Sequence, residues 1–424
     1  MKKARTAVVM HYLSICLHWG IFSILTGIIC GCMGSAYSLF VQWSNEIRGN
    51  SPWLIFFLPA AGLLIVALYN MFGIHEDRGP DLIFDSVRNS DNVPYQVIIA
   101  SFLSTIITHL FGGSAGRVAV AMQMGGGISS LMSKRVGLSD KDRSLFVMCG
   151  MAGLISALFG APIMATFLSM EVVSLGVIYY AALLPCMMTS MVSFFISRLL
   201  SLKPMHYDID IIPSLTALSV TKVSILAVCC ALVSILFCVC MMLWGKNIKK
   251  YVKNPYIRIL IGSGCIILLT LICRSQTYNG SSAALLNSAL AGDKVNPYDF
   301  LLKIVFTAIT LQSGFKGGSV YPSLVIGAAF GCWFGPFLGL PAAFSAAIGM
   351  IAVFCGSVNC PIAAICFAAE VFGSGNIIFF AMAAAISFVF SGYFTIFPGQ
   401  HFIYSKLRME YKNSGLRDND EQKK

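Results

Sequence analysis

Apolar runs with little sequence between them restrict what this chain can fold into more than any other feature. They cover Ile15 to Met33, Trp53 to Phe72, Tyr95 to Phe111, Leu145 to Met170, Val173 to Ile196, Val223 to Trp244, Ile257 to Cys273, Phe300 to Leu311, Tyr321 to Met350 and Ile351 to Phe397. A helix takes about 20 apolar residues to cross the hydrocarbon of a bilayer. Several runs have that length, but Phe300 to Leu311 does not, and others carry Gly or Pro where the middle of the bilayer would fall. Backbone groups freed at such breaks find no water in hydrocarbon, so broken and re-entrant helices are expected only where protein or a polar cavity shields them. Charged residues make up 11% of the chain and hydrophobic ones 57%, against roughly 25% charged in soluble domains. The expectation is an all-α polytopic membrane protein.

The formal net charge of +11 does not point to nucleic acid. Lysines and arginines sit in short polar segments: Lys2, Lys3 and Arg5 before the first run, Lys134, Arg135, Lys141 and Arg143 in a later loop, and Lys246 to Arg258 between two others. That is the placement of cytoplasmic loops, so both termini are expected on the cytoplasmic side of the cell membrane, with Gln42 to Ser51 on the other. No cleavable signal is evident, because the first apolar run is long and lacks a small-residue cleavage site. The 15 cysteines are scattered through apolar runs without CxxC spacing, and the six histidines show no ligand spacing, so neither metal nor cofactor is expected. No nucleophile motif or paired carboxylates occupy a plausible site, which argues against an enzyme.

One stretch stands apart. Phe111 to Gly127 is a glycine-rich turn that carries Arg117 into an apolar segment, and an ionisable group at bilayer depth is costly and usually functional. Amides at a helix start hold the positive end of the helix dipole, so such a turn is a natural anion site. The alternative is that the glycines only let helices pack closely while Arg117 pairs locally or snorkels.

The chain also repeats itself. Gly150-Met151, Pro162-Ile163, Ala165 and Glu171-Val172 return as Gly349-Met350, Pro361-Ile362, Ala364 and Glu370-Val371, at an offset of about 199 residues. The glycine turn has its counterpart in Gly314 to Pro322. Two membrane repeats are therefore expected, 1–245 and 259–410, joined by a basic cytoplasmic linker at 246–258 and followed by a polar cytoplasmic tail at 411–424. Glycine turns from the two halves can meet near the midplane, as in transporters built from repeats. Glu171 and Glu370 are expected to be structural, as helix-end carboxylates that cap or bind neighbouring amides.

Taken together, Ser114 to Gly126, Lys316 to Pro322, the paired Pro-Ile and Glu-Val motifs, and Phe402-Ile403-Tyr404-Ser405-Lys406 resemble the CLC family of chloride channels and transporters, in order and over nearly the whole chain. The resemblance implies two inverted-topology repeats in a homodimer, with one anion pathway per subunit in the lipid bilayer. It places the amides of Val118, Ala119, Ser319 and Val320 around a central anion, with the Tyr404 hydroxyl donating to it and Tyr393 as the less favoured tyrosine.

Departures from the family pattern carry as much information. The family's gating glutamate stands where this chain has Val118, and the inner carboxylate of its proton exchangers falls at Val172. The serine-bearing turn is replaced by Asp77-Arg78-Gly79-Pro80, so Arg78 is either a substitute donor or a vestibule residue in solvent, with Gly79 beside it. The turn Gly112 to Arg117 is closer to the bacterial branch that includes fluoride exporters, yet that branch's glutamate and threonine correspond to Ser319 and Tyr321 here. Selecting fluoride means repaying a large dehydration cost. The expectation is a CLC-type pathway that conducts chloride or similar halides passively and without proton coupling. A fluoride exporter is the first alternative, and a non-conducting structural or regulatory relative the second.

Overall fold

The computed structural model describes residues 2–74, 78–408 and 410–415. Among the described residues, sixteen α-helices in chain order form two matching sets. The first set is α1 (Lys2–Asn50), α2 (Leu58–Met71), α3 (Asp81–Asn89), α4 (Tyr95–Leu110), α5 (Val118–Val136), α6 (Asp140–Phe159), α7 (Pro162–Glu171) and α8 (Leu183–Leu199). The second is α9 (Ala217–Tyr251), α10 (Pro255–Cys273), α11 (Ala283–Ala291), α12 (Asp299–Ser313), α13 (Val320–Phe334), α14 (Ala342–Val358), α15 (Pro361–Phe372) and α16 (Ile377–Phe390). Among the described residues, 7 helices are long and apolar enough to cross a membrane, and the others are shorter or broken. The fold is all-α, polytopic and built from two inverted-topology repeats.

Local chemistry sets the breaks. Ser139 caps α6 at the spacing expected, its Oγ accepting from the N–H of Asp142 at 3.3 Å; the Asp142 carboxylate takes its hydrogen from Ser139 Oγ at 2.6 Å in place of the backbone N–H that a full capping box uses. Gly160 ends α6 with φ +66°, a left-handed conformation that glycine adopts freely, and Pro162 then opens α7, where its missing N–H costs nothing. Proline again opens α15. Inside each half two helices cross at a glycine pair: a Cβ on Gly125 would lie 2.2 Å from the Gly150 carbonyl oxygen, and one on Gly327 would lie 2.2 Å from that of Gly349. The small residues of Ala342 to Ile351 seat α14 on α13 and are buried from Phe344 onward. Leu268, Leu271 and Ile272 of α10 are exposed.

The basic stretch expected as a linker at 246–258 is not a separate segment. Its first residues finish α9, the chain breaks only at 252–254, and α10 follows. Because α9 packs on α12, α13, α14 and α16, we place the division between the repeats in the irregular segment 200–216. Lysine is a good helix former, and cations are favourable at a helix C-terminus, so charge there extends α9. The expected tail begins with a strand: β1 (Ser174–Leu175) pairs in parallel with β2 (His401–Tyr404), which pairs antiparallel with β3 (Tyr411–Gly415). The rest of the tail, 416–424, lies outside the described residues.

Candidate anion pathway

The two glycine turns meet. Gly116 and Gly318 exchange backbone hydrogen bonds, each N–H donating to the other's carbonyl at 2.7 Å. On either side, the Ser114 N–H donates to Thr310 Oγ1 at 3.0 Å and the Lys316 N–H to Thr108 Oγ1 at 3.3 Å. These exchanges relate the halves by a local two-fold. No side chain fits at the crossing: a Cβ on Gly116 would come within 2.6 Å of Tyr321 Cβ, and one on Gly318 within 2.8 Å of the Ala119 nitrogen. Two helices, α5 at Val118 and α13 at Val320, therefore begin side by side, with the unsatisfied amides and positive dipole ends of both at one place.

Behind the first turn is an ionisable group that sequence reasoning missed. Lys303 of α12 is fully buried, and its Nζ donates to Ser114 Oγ at 2.9 Å, Gly280 O at 3.0 Å and Tyr278 O at 3.2 Å. All three acceptors are neutral oxygens, and they hold the amine against the first turn. The signal for it was a lysine inside the apolar run Phe300 to Leu311, an intramembrane charge of the kind that is functional by default.

Two cavities flank the crossing. The larger, about 320 Å³, is lined by Arg78, Gly79, Ala119, Ser319, Gln123 and Lys316, among others. It brings together four of the residues expected at the anion site. Arg78 lines it while holding Asp85 in a 2.8 Å ion pair. Asp77 and Glu76, from the same expected turn, lie outside the described residues. Val118 and Val320 contribute helix-start backbone, with side chains buried in the core.

Tyr404 does not join this group. It lies on β2, 45% exposed, with its ring 5.9 Å from that of Tyr411. Tyr393 is also elsewhere, its hydroxyl paired with Ser405 Oγ at 3.0 Å. From this part of the chain, Ile396, Phe397 and Pro398 line the cavity instead. The tyrosine found there is Tyr69 of α2, its hydroxyl 3.2 Å from Ser101 Oγ and its ring under Lys316 Nζ at 4.4 Å. Ser101 Oγ in turn donates to Gln123 Oε1 at 3.0 Å.

The smaller cavity, about 220 Å³, is lined by Gly116, Arg117, His109, Asn45 and Tyr321. Arg117 Nη1 donates to Ser38 Oγ at 2.8 Å, so this arginine both pairs locally and faces the cavity. His109 Nδ1 lies 2.9 Å from Thr105 O. A carbonyl only accepts, so that nitrogen carries the hydrogen. Arg48 Nη1 reaches His109 O at 3.4 Å. Cations or helix-start dipoles thus stand on both sides of the crossing.

Voltage gated chloride channel is the family matched by residues 61–392. A "Chloride/fluoride channel protein" of Pseudomonas syringae pv. tomato is 30% identical over 391 residues, 90% of this chain and 86% of that protein. The ClcB protein of Escherichia coli O9:H4, named a voltage-gated ClC-type chloride channel, is 23% identical over 308 residues, 70% of this chain and 72% of that one. Among solved structures, a CLC-type fluoride/proton antiporter superposes with a TM-score of 0.87 at 31% identity, over 91% of this chain and 98% of the other. The chain belongs to the voltage gated chloride channel (CLC) family, whose members are channels or transporters of anions.

Proposed function

We propose that the protein conducts chloride or similar halides passively between its two cavities, past the paired helix starts at the Gly116–Gly318 crossing. That crossing is the observation that carries the reading, because it brings two sets of helix-start amides to one place between two cavities. The amides of Val118, Ala119, Ser319 and Val320 are assigned to the central anion, with Arg78 and Gly79 at the mouth of the larger cavity. Absence of proton coupling rests on Val118 and Val172. Both side chains are fully buried, and valine neither takes up nor releases a proton at the two positions where the family pattern has carboxylates. A homodimer with both termini cytoplasmic completes the reading, the orientation resting on the distribution of Lys and Arg.

Fluoride export is the second reading, supported by relatives named for fluoride at 30% and 31% identity. Efflux from liposomes loaded with potassium chloride or potassium fluoride separates the two. Passive halide conduction predicts the faster efflux for chloride. Fluoride release with chloride retained supports the second reading, and retention of both ions identifies a non-conducting relative.

A further inference from the structure

We propose that the smaller cavity binds a halide together with two of its waters, one water held by His109 and the other by Asn45. The His109 ring donates from Nδ1 to the Thr105 carbonyl, 2.9 Å away. Above the ordinary titration range of histidine, at about pH 6.5, such a ring carries a bare lone pair on Nε2. Asn45 repeats the arrangement on α1: its Nδ2 donates to the Val41 carbonyl at 2.9 Å, which leaves Oδ1 as a pure acceptor. Each bond ties one edge of its side chain back to the residue's own helix, so the bare acceptor lies on the opposite edge. His109 Nε2 and Asn45 Oδ1 are both buried and have no donor among the described residues. Both residues line the cavity of about 220 Å³ that Gly116 and Arg117 also line. Buried acceptors without a donor are uncommon, and each calls for a bound water or ligand that supplies one.

The chemistry of this lining selects the occupant. A dry halide offers only lone pairs, so it satisfies neither acceptor and is repelled by both. A cation would face Arg117. Water resolves the conflict, because each molecule gives one hydrogen to a protein acceptor and the other to the ion. Arg117 spends one N–H on Ser38 Oγ at 2.8 Å and one on Leu158 O at 3.5 Å. A guanidinium carries five, so three remain to hold the halide itself. The cavity has about seven times the roughly 30 Å³ that one water takes in the liquid, enough for the ion and both waters. A halide that keeps two waters here loses less hydration before it reaches the helix starts at the crossing, and the gain is largest for the ions that are most costly to dehydrate. That selectivity rests on the conduction reading above, whereas binding does not.

Bromide, located by its anomalous scattering in crystals of the full chain grown at about pH 8, where histidine is neutral, tests the site without requiring flux. The parent is expected to hold bromide in the smaller cavity beside Arg117, with one water between the ion and His109 Nε2 and another between the ion and Asn45 Oδ1. Bromide touching Nε2 directly, or a cavity without the ion, overturns the proposal. Efflux from liposomes at the same pH tests the consequence, with thiocyanate as the anion that gives up water more easily. Asn45→Leu and His109→Phe each remove one acceptor and are expected to lower the ratio of chloride to thiocyanate efflux about tenfold. His109→Gln keeps an acceptor oxygen without a titrating proton and should restore the ratio. Ratios in Asn45→Leu and His109→Phe equal to the parent's overturn the proposal. A parent that holds bromide with its two waters yet releases neither anion supports the site and overturns the conduction reading.

Discussion

Glu171 and Glu370 each cap the short helix that carries the other. The Glu370 carboxylate, at the end of α15, accepts from the N–H groups of Ile163 and Met164 at 2.8 Å each, and Glu171, at the end of α7, accepts from Ile362 and Ala363 at 3.3 and 2.9 Å. A helix start leaves four amides without intrahelical partners, and in a water-poor interior each must find an acceptor or cost free energy. The reciprocal caps thus tie the two halves together at the residues where their sequences repeat.

Replacing either carboxylate by methyl should therefore loosen the fold and not act on proton transfer. Glu370→Ala and Glu171→Ala are each expected to cost about 1–3 kcal/mol by leaving helix-start amides unpaired, the larger loss at Glu171, whose partner Ala363 is buried, read as a lower midpoint of thermal unfolding in detergent. Halide flux per correctly folded protein should stay close to the parent's. A large loss of flux with unchanged stability would move these residues from scaffold to pathway.

The glycine crossings admit no side chain. Gly125→Ala would press a methyl against the Gly150 carbonyl, 2.2 Å away, and backbone cannot move aside as a flexible side chain can. Overpacking of this kind costs typically about 1–3 kcal/mol. The equivalent Gly327→Ala, 2.2 Å from the Gly349 oxygen, should destabilise by a similar amount, whereas Gly264→Ala, with open space around it, should not. Comparing the melting of all three variants checks the pairing.

Much of this was legible in sequence because it depends on spacing. The repeat motifs place Glu171 and Glu370, and the glycine turns announce the Gly116–Gly318 crossing, since only glycine tolerates such close backbone approach. What stayed hidden depends on how distant segments lie in space. Tyr404 matched a motif, but strand pairing of β2 with β1 and β3 turns it to the outside, and Tyr69, from an unremarked helix, lines the cavity instead. Lys246 to Tyr251 reads as a loop by charge and folds as the end of a long helix, because a lysine-rich segment loses nothing by being helical at its solvent end. Lys303 is visible as an oddity, yet its partners Ser114, Tyr278 and Gly280 come from three segments that only the fold brings together.

Val118→Glu should restore a pH-dependent gate. The new carboxylate would start α5 beside the amides assigned to the permeant ion, and in its charged form it competes with the halide for them. Protonation removes that competition. Flux through Val118→Glu is expected below the parent's at neutral pH and to recover as the pH falls, while Val118→Gln, similar in size to glutamate but uncharged, should lack the recovery. Both variants carry an overpacking cost of about 1–3 kcal/mol at this buried position, which their comparison cancels. Identical flux through the parent and a folded Val118→Glu across that range would remove Val118 from the pathway.

Simultaneous recording of chloride efflux and internal pH from liposomes holding the purified protein tests passive conduction most directly. With Val118 and Val172 at the two family relay positions, an imposed chloride gradient should discharge with no uphill movement of protons, at a rate well above that of protein-free liposomes. Stoichiometric proton pumping against its gradient, or chloride efflux no faster than from empty liposomes, would contradict the account.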